Sequence, residues 1–206
     1  MRFRGFRFFL FILTMGGCLS ASHAAARSYI IDRTKSSMLV FTDSAGIFKS
    51  FGHKLAIEVR EFSGTAQFDA SAPERSSLQM KVATHSLALK TEVSPMDRQN
   101  IEIRMHEKVL QTLRFPEIVF VSDTVEAKRV SPTLWKVVLY GQLSLHGVTR
   151  RFPIPATVTF KNGQLEAVGE FPIKQSDFKI KSYSYTGGAL KVADTVKISF
   201  HIVAHP

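Results

Sequence analysis

The stretch 115–151, FPEIVFVSDTVEAKRVSPTLWKVVLYGQLSLHGVTRR, decides the fold of this chain and holds two apolar runs around a short polar loop. Successive side chains of a strand point to opposite faces. The first run therefore divides into two faces, with Ile118, Phe120, Ser122 and Thr124 on one and Val119, Val121 and Val125 on the other. Because both faces are largely apolar, we expect this strand to lie between a core and a second apolar partner, either another layer of protein or a bound ligand.

Strand patterns dominate the rest of the chain. Runs rich in Val, Ile, Phe and Thr with local alternation predict eight strands: Ser37–Thr42, Lys54–Asp69, Ser77–Leu89, Glu117–Ala127, Leu134–Leu145, Arg151–Phe160, Gln164–Pro172 and Thr195–Val203. The dipeptide Asn162-Gly163 between two of them predicts a two-residue type I′ hairpin. Within the second segment the apolar positions change from odd to even numbers near Arg60 and Glu61, which predicts a β-bulge or a bend.

One segment, Met96–Leu113, has the pattern of an amphipathic helix. Its apolar side chains recur every four residues: Ile101, Met105, Val109 and Leu113. Ser94 and Pro95 suit a helix start, and Phe115-Pro116 favours a return to extended chain. We expect this helix to cover one end of the strand assembly, with docking to a membrane as the alternative.

These patterns predict an all-β chain, an eight-stranded antiparallel β-barrel with one amphipathic helix inserted between strands. Closing the sheet removes its exposed edges. The interior of such a barrel is wide enough for packed side chains or for one elongated small ligand. The 17 phenylalanines of the chain suit either use, because they can fill a core or line a cavity for hydrocarbon.

The N-terminus has the pattern of a secretory signal peptide over residues 1–26. Arg2, Arg4 and Arg7 precede a short apolar run, and Ala24-Ala25-Ala26 offers small residues for cleavage. The remaining residues, 27–206, are expected to form a single domain. Cys18 is the only cysteine, and it is expected to lie in the discarded peptide; the alternative is a lipoprotein anchored through Cys18. We therefore expect a periplasmic location.

Several function classes do not fit the sequence. The net charge of +10 could suggest nucleic-acid binding, but the basic residues are scattered along strands and an exported protein meets lipid headgroups instead. No Gly-x-Ser-x-Gly motif and no Gly-rich phosphate loop are present. We expect no nucleic-acid partner, no catalytic residues and no enzyme activity.

Four short motifs resemble those of the YceI-like polyisoprenoid-binding family. They are Phe115-Pro116-x-Ile118-x-Phe120-x-Ser122, Gly141-x-Leu143-x-Leu145-x-Gly147-Val148-Thr149-Arg150, Ser176-Asp177-Phe178-Lys179-Ile180, and Phe51-Gly52-His53 with the later Phe62-Ser63-Gly64-x-Ala66-x-Phe68-Asp69. The Phe-Gly-His element is similar to that of a subgroup. Lys179 stands where the family usually has glycine, and lysine avoids the positive φ that glycine accepts. The resemblance extends from about Tyr29 to Val203.

This resemblance implies a lipocalin-like barrel with an isoprenoid chain along its axis. It implies periplasmic binding, transport or sequestration of a polyisoprenoid or quinone-like lipid, without catalysis, cofactor or metal. We predict that the ligand contacts motif-phase apolar residues and two histidines: Phe62, Phe68, Met80, Val82, Ile118, Phe120, Leu143, Phe171, Ile198, Phe200, His53 and His146. Loose contact with a membrane surface and a homodimer are left open.

Two alternatives stand beside this hypothesis. His53 and His146 lie inside the motifs and could hold a metal or a haem iron in a redox protein. The histidines are dispersed, however, and show no local ligand spacing such as His-Glu-x-x-His. A structural or stress-related partner protein, whose barrel interior is filled by its own side chains, is the third reading.

Overall fold

The computed structural model of this chain describes residues 26–45, 54–185 and 190–206. In these ranges the strands are Arg27–Ile31 (β1), Ser37–Thr42 (β2), Ser44–Ala45 (β3), Leu55–Val59 (β4), Phe62–Phe68 (β5), Ser77–Ala83 (β6), Leu87–Leu89 (β7), Glu117–Ser131 (β8), Leu134–Leu145 (β9), Val148–Lys161 (β10), Gln164–Lys174 (β11), Ser184–Tyr185 (β12), Leu190–Val192 (β13) and Thr195–His205 (β14). One helix, Pro95–Arg104 (α1), continues as a π-helical segment, Met105–Val109. Short 3-10 turns occupy Pro73–Arg75, Thr84–Ser86 and Gln175–Phe178.

The main sheet closes into an eight-stranded antiparallel barrel, which confirms the predicted fold class. Its strands follow the order β1-β5-β6-β8-β9-β10-β11-β14, and β14 pairs back to β1 through Ile30 and His205. Toward one end of the barrel, three of its strands are extended by a second strand beyond a short break. β2 follows β1, β4 precedes β5, and β7 follows β6. β7 pairs with β4, while β8 begins its pairing opposite Ala83 on β6. The chain between β7 and β8, which contains α1, therefore lies at this end, which we call the mouth.

The break between β4 and β5 confirms the bend predicted near Arg60 and Glu61. The strands on either side end at Val59 and begin at Phe62. The backbone N–H of Glu61 donates to the hydroxyl of Ser86 at 2.9 Å, and Ser86 lies in the matching break of the neighbouring strand. This side-chain hydrogen bond joins the two breaks. It gives a partner to the N–H of Glu61, which has none in the hydrogen bonds between the strands.

A second irregularity, in β8, was not predicted and corrects the expected faces of that strand. The pairing of β8 with β9 shifts between Ser122 and Thr124. A bulge of one residue reverses the side-chain alternation beyond it. Val125 is therefore buried, at 5% exposure, although simple alternation places it on the same face as Val121, which is 40% exposed. The expectation that β8 has apolar partners on both sides is wrong, because the outer face at Val121 is in contact with water.

The tight turns show which backbone positions take positive φ. Asn162 and Gly163 have φ of 53° and 76°, which confirms the predicted type I′ hairpin. His146 and Gly147 have φ of 51° and 74° and form a second turn of this kind between β9 and β10. Lys179 takes φ of 57°, so lysine adopts here the left-handed conformation that glycine would adopt more readily.

The helix is present where the sequence predicts it, but it ends earlier. Ser94 caps it, since its hydroxyl accepts from the backbone N–H of Asp97 at 3.1 Å. The helical segment ends at Val109, and Gln111 has φ of 48°. This turn directs Leu113 away from the barrel, where it is 101% exposed, so the predicted inclusion of Leu113 in the helix is wrong. Within the described ranges, the helix is too short and too polar to cross a membrane.

Aromatic side chains fill the barrel at the end opposite the mouth. Tyr29 and Trp135 are each 1% exposed. The ring of Phe68 lies 5.5 Å from that of Trp135, and the ring of Phe160 lies 6.2 Å from that of Tyr29. All four residues come from strand ends that meet here, because β1 and β9 begin and β5 and β10 end at this side. We call this group the aromatic floor.

Asp69 directly follows β5, just beyond the aromatic floor, and gives a pH-dependent contribution to stability. Its carboxylate accepts from the hydroxyl of Ser71 at 2.5 Å and from the backbone N–H of Ser71 at 2.9 Å, and these bonds hold the pKa of Asp69 below its usual range. A carboxylate with a lowered pKa stabilises the fold above the pKa of the unfolded chain, and this contribution is lost as pH falls through the folded pKa.

We therefore expect Asp69→Asn to lower the free energy of unfolding near neutral pH, and we expect this difference to shrink as pH is lowered below about 4. Urea denaturation at a series of pH values measures it. Glu74→Gln, an exposed change in the same loop, serves as the control. A destabilisation that stays constant over the whole pH range would show that the charge of Asp69 has no part in it.

Candidate functional site

The barrel encloses an apolar cavity of about 390 Å³. Aliphatic and aromatic side chains from the barrel strands and from the helical segment line it. On β9 the lining side chains run from Val137 to Leu145, eight residues apart. At ~3.3 Å per residue and a strand tilt of about 40°, this corresponds to a length of roughly 20 Å along the barrel axis. The cavity therefore has the size and shape for one elongated apolar molecule.

Nine of the predicted ligand-binding residues line this cavity. They are Phe68, Met80, Val82, Ile118, Phe120, Leu143, Phe171, Ile198 and Phe200. Phe68 belongs to the aromatic floor, whereas Ile118 lies near the start of β8 at the mouth. The inward positions of Ile118 and Phe120 agree with the alternation read from the opening stretch. That these residues contact a ligand stays a prediction.

Phe62, the tenth apolar residue predicted to contact a ligand, is not among the described residues that line the cavity, and its contact with a ligand stays a prediction. It is the first residue of β5 after the break at Arg60 and Glu61, and it pairs across from Val82. Its ring is 7% exposed and packs in the hydrophobic core. Phe62 thus packs in the same core cluster as Phe68 and Val82, which do line the cavity.

Of the two predicted histidines, only His146 lies among the described residues. His146 occupies the tight turn between β9 and β10, outside the cavity lining, and its ring lies 4.2 Å from that of Phe115. Both of its ring nitrogens are buried and lack a hydrogen-bond partner within the described ranges. His53 lies outside the described residues. In the part of the chain that the structure describes, no three His, Cys, Asp or Glu side chains are grouped so as to hold a metal ion.

The sequence reasoning missed the lining residues that the helical segment supplies. Ile101, Met105, Val109 and Leu110 all face the cavity and cover it at the mouth. The four-residue spacing identified this apolar face, but spacing alone does not tell whether the face packs on protein or borders an open space. Small lining residues such as Ala167 were missed for a related reason, because alanine carries no signal for a cavity.

A few polar side chains border the mouth. Arg104 at the end of α1 and Tyr183 in the loop before β12 both line the cavity, and the guanidinium carbon of Arg104 lies 5.1 Å from the centre of the Tyr183 ring. Gln175 is 8% exposed and also lines the cavity, and its side-chain amide donates to the carbonyl of Ala193 at 2.9 Å. Among the described lining residues, Arg104 is the only one that carries a charge.

The carboxylates with shifted pKa values lie outside the cavity. Arg151 donates to Asp123 at 3.0 Å and lowers the pKa of that carboxyl, and the same bond raises the pKa of Arg151. The hydroxyl of Thr34 donates to Asp32 at 2.6 Å and lowers the pKa of Asp32. Asp123 is the bulged residue of β8, so this ion pair holds the bulge on the outer surface of the barrel.

Solved structures with the same fold include three proteins of low sequence identity. BcnA of Burkholderia cenocepacia matches with a TM-score of 0.67 and 22% identity, over 84% of this chain and 98% of its own. A polyisoprenoid binding domain from Saccharophagus degradans matches with a TM-score of 0.60 and 14% identity, over 86% and 97%. The YCEI protein of Campylobacter jejuni matches with a TM-score of 0.57 and 15% identity, over 73% and 84%.

Relatives at the sequence level point to one family. UPF0312 proteins of Pseudomonas savastanoi and Pseudomonas syringae are 31% identical over 142 residues, which is 68% of this chain. The chain spans 66% of the length of these relatives. The model of the YceI-like domain matches residues 29–204, nearly the whole of the described barrel. The chain therefore belongs to the YceI-like family.

Proposed function

We propose that this chain is a non-catalytic carrier that binds one polyisoprenoid lipid, a prenyl chain or a quinone tail, inside its barrel. The observation that carries the proposal is the elongated apolar cavity of about 390 Å³, which the helical segment covers at the mouth. The polyisoprenoid binding domain of Saccharophagus degradans, which has the same fold, supports this choice of ligand class.

The energetics of the cavity favour a hydrocarbon chain. Burying hydrocarbon gains about 0.8 kcal/mol per CH₂ and requires no matching polar group. A buried chain of about ten carbons would gain roughly 8 kcal/mol, from which the cost of fixing the chain and the loss of translational freedom must be subtracted. The net gain is therefore well below this sum, and a carrier requires a complex that is reversible in this way.

The helical segment gives the carrier a cover that can open. Met105 and Val109 close the mouth from the inside, whereas Met96 and Ile103 are 73% and 44% exposed on the outer side. Displacing this segment would open the apolar interior without breaking the backbone hydrogen bonds between the barrel strands. Its exposed apolar side chains fit loose contact with the surface of the membrane that supplies the lipid.

A periplasmic location completes the proposal. Residues 1–26 act as the signal peptide, and a lipid-modified Cys18 is the alternative route to the same compartment. Mass spectrometry of the exported protein distinguishes the two, because cleavage after Ala26 leaves Arg27 as the N-terminus.

The direct test is organic extraction of the protein purified from its native compartment, followed by lipid mass spectrometry. We expect a stoichiometric polyisoprenoid. A protein that is empty under native loading, and that also fails to take up a prenyl chain when one is supplied in vitro, would contradict the proposal and favour a barrel with a purely structural role.

A further inference from the structure

The charge distribution of the cavity carries an inference about the ligand's polar head, and this inference rests on the carrier function proposed above. The described lining residues include one cation, Arg104, and no carboxylate. Arg104 is the last residue of α1, so it stands at the mouth and not at the aromatic floor. A long ligand that fills the apolar interior would therefore place its polar end beside this guanidinium.

Among the described residues the guanidinium of Arg104 has no hydrogen-bond or ion-pair partner, which distinguishes it from the other arginine of the same helix. Arg98 donates to the backbone carbonyls of Leu89 and Thr91 and lies 4.0 Å from the carboxylate of Glu102, so it fixes the helix to β7. The side chain of Arg104 forms no hydrogen bond or ion pair with any described residue, and its guanidinium contacts the face of the Tyr183 ring. Stacking on an aromatic ring leaves the N–H donors of a guanidinium free at its edge.

An uncommitted guanidinium beside an apolar cavity selects for one kind of head group. Its N–H donors match the paired oxygens of a phosphate or a carboxylate, and such charge-assisted bonds are stronger than bonds to a neutral carbonyl or hydroxyl. With no described acidic residue in the lining, an anionic head would meet no like charge there. The apolar walls meanwhile require a hydrocarbon tail.

We infer that the natural ligand is an amphiphile with an anionic head, a phosphate or a carboxylate, which Arg104 binds at the mouth while the tail occupies the barrel. Arg104 thus selects the head group, and the cavity selects the tail. Tyr183 positions Arg104, since its ring holds the guanidinium at 5.1 Å.

Displacement of the neutral dye Nile red from the purified protein tests this inference with two matched pairs of probes. The first pair is geranylgeranyl monophosphate and geranylgeraniol, and the second is oleic acid and oleyl alcohol. We expect the wild-type protein to prefer at least one anionic probe over its alcohol by about tenfold. The pair that shows the preference identifies the head group as phosphate or carboxylate.

The variant Arg104→Gln is expected to lose this preference while its affinity for the two alcohols stays within about twofold of wild type. Lys108→Gln removes the same charge from the next turn of the helical segment but lies outside the cavity lining, so it should keep the preference. Equal binding of acids and alcohols by the wild type, or an unchanged preference in Arg104→Gln, would overturn the inference. Those results leave the carrier function intact as long as the alcohols bind, whereas failure of all four probes removes both proposals.

Discussion

Replacing Ala167 by phenylalanine is expected to weaken the binding of a long apolar chain by about a hundredfold while the barrel stays folded. Ala167 lies on β11, pairs across from Ile202 of β14 and faces the cavity. A phenyl ring at this position would occupy space that about three or four methylene groups of a ligand would otherwise fill. At about 0.8 kcal/mol each, their loss amounts to roughly 3 kcal/mol, which is about a hundredfold in affinity.

The neighbouring residue supplies the matched control. Val168 follows Ala167 on the same strand, points to the outer surface and is 42% exposed. Val168→Phe therefore adds the same ring outside the barrel, and geranylgeraniol should bind it as it binds wild type. Titration with prenyl alcohols of increasing length measures the effect, and thermal unfolding confirms that both variants fold. If Ala167→Phe binds the longest alcohol as tightly as Val168→Phe does, the cavity is not the binding site.

The second large effect concerns stability and is expected for Gly141→Ala. A Cβ atom at Gly141 would lie 2.2 Å from the backbone oxygen of Val121 and 2.6 Å from the Cα of Ser122. Both atoms belong to the backbone of β8 next to its bulge, so neither can move aside as the end of a flexible side chain could. Overpacking of this kind costs about 3 kcal/mol when the backbone has to shift.

Urea denaturation measures the loss, and Gln142→Ala provides the comparison. Gln142 is the next residue of β9 and its side chain is exposed, so its replacement should change the free energy of unfolding by no more than about 0.5 kcal/mol. A Gly141→Ala protein as stable as Gln142→Ala would mean that β8 and β9 can separate at the bulge at no cost. The close approach of their backbones would then have no part in fixing the bulge.

Local signals in the sequence were enough to predict the barrel and the break near Arg60, but not the bulge in β8. The Asn162-Gly163 turn and the change of phase near Arg60 act within a few residues, and both are found as predicted. The bulge at Asp123 depends on how β8 meets β9, and valines on both faces hide the change of phase, since Val121 is exposed and Val125 is buried. Strand β1 was missed because Arg27–Ile31 is short and is held mainly by its pairing with β5, a contact between distant parts of the chain.

The candidate site was predictable where it consists of strand faces. Residues such as Phe120 and Leu143 follow from alternation, because the inner face of a barrel strand is also the wall of its cavity. Arg104 and Tyr183 could not be found in this way, since they are 79 residues apart and meet only when the helix closes over the mouth. Phe62 shows the limit of alternation, because the phase of a strand does not tell which buried side chains border open space.

The aromatic floor has a consequence for how a ligand would enter and leave the proposed carrier. A barrel that is filled at one end can bind and release a long ligand only through the other end. Such a ligand would enter with its tail first and leave with its head group first. If the chain is the carrier proposed above, donor and acceptor would have to bind in turn at one face of the protein, and the lipid would not pass through the barrel. Four packed rings fill this end of the barrel, and a bound chain would therefore use the mouth alone: Tyr29, Phe68, Trp135 and Phe160.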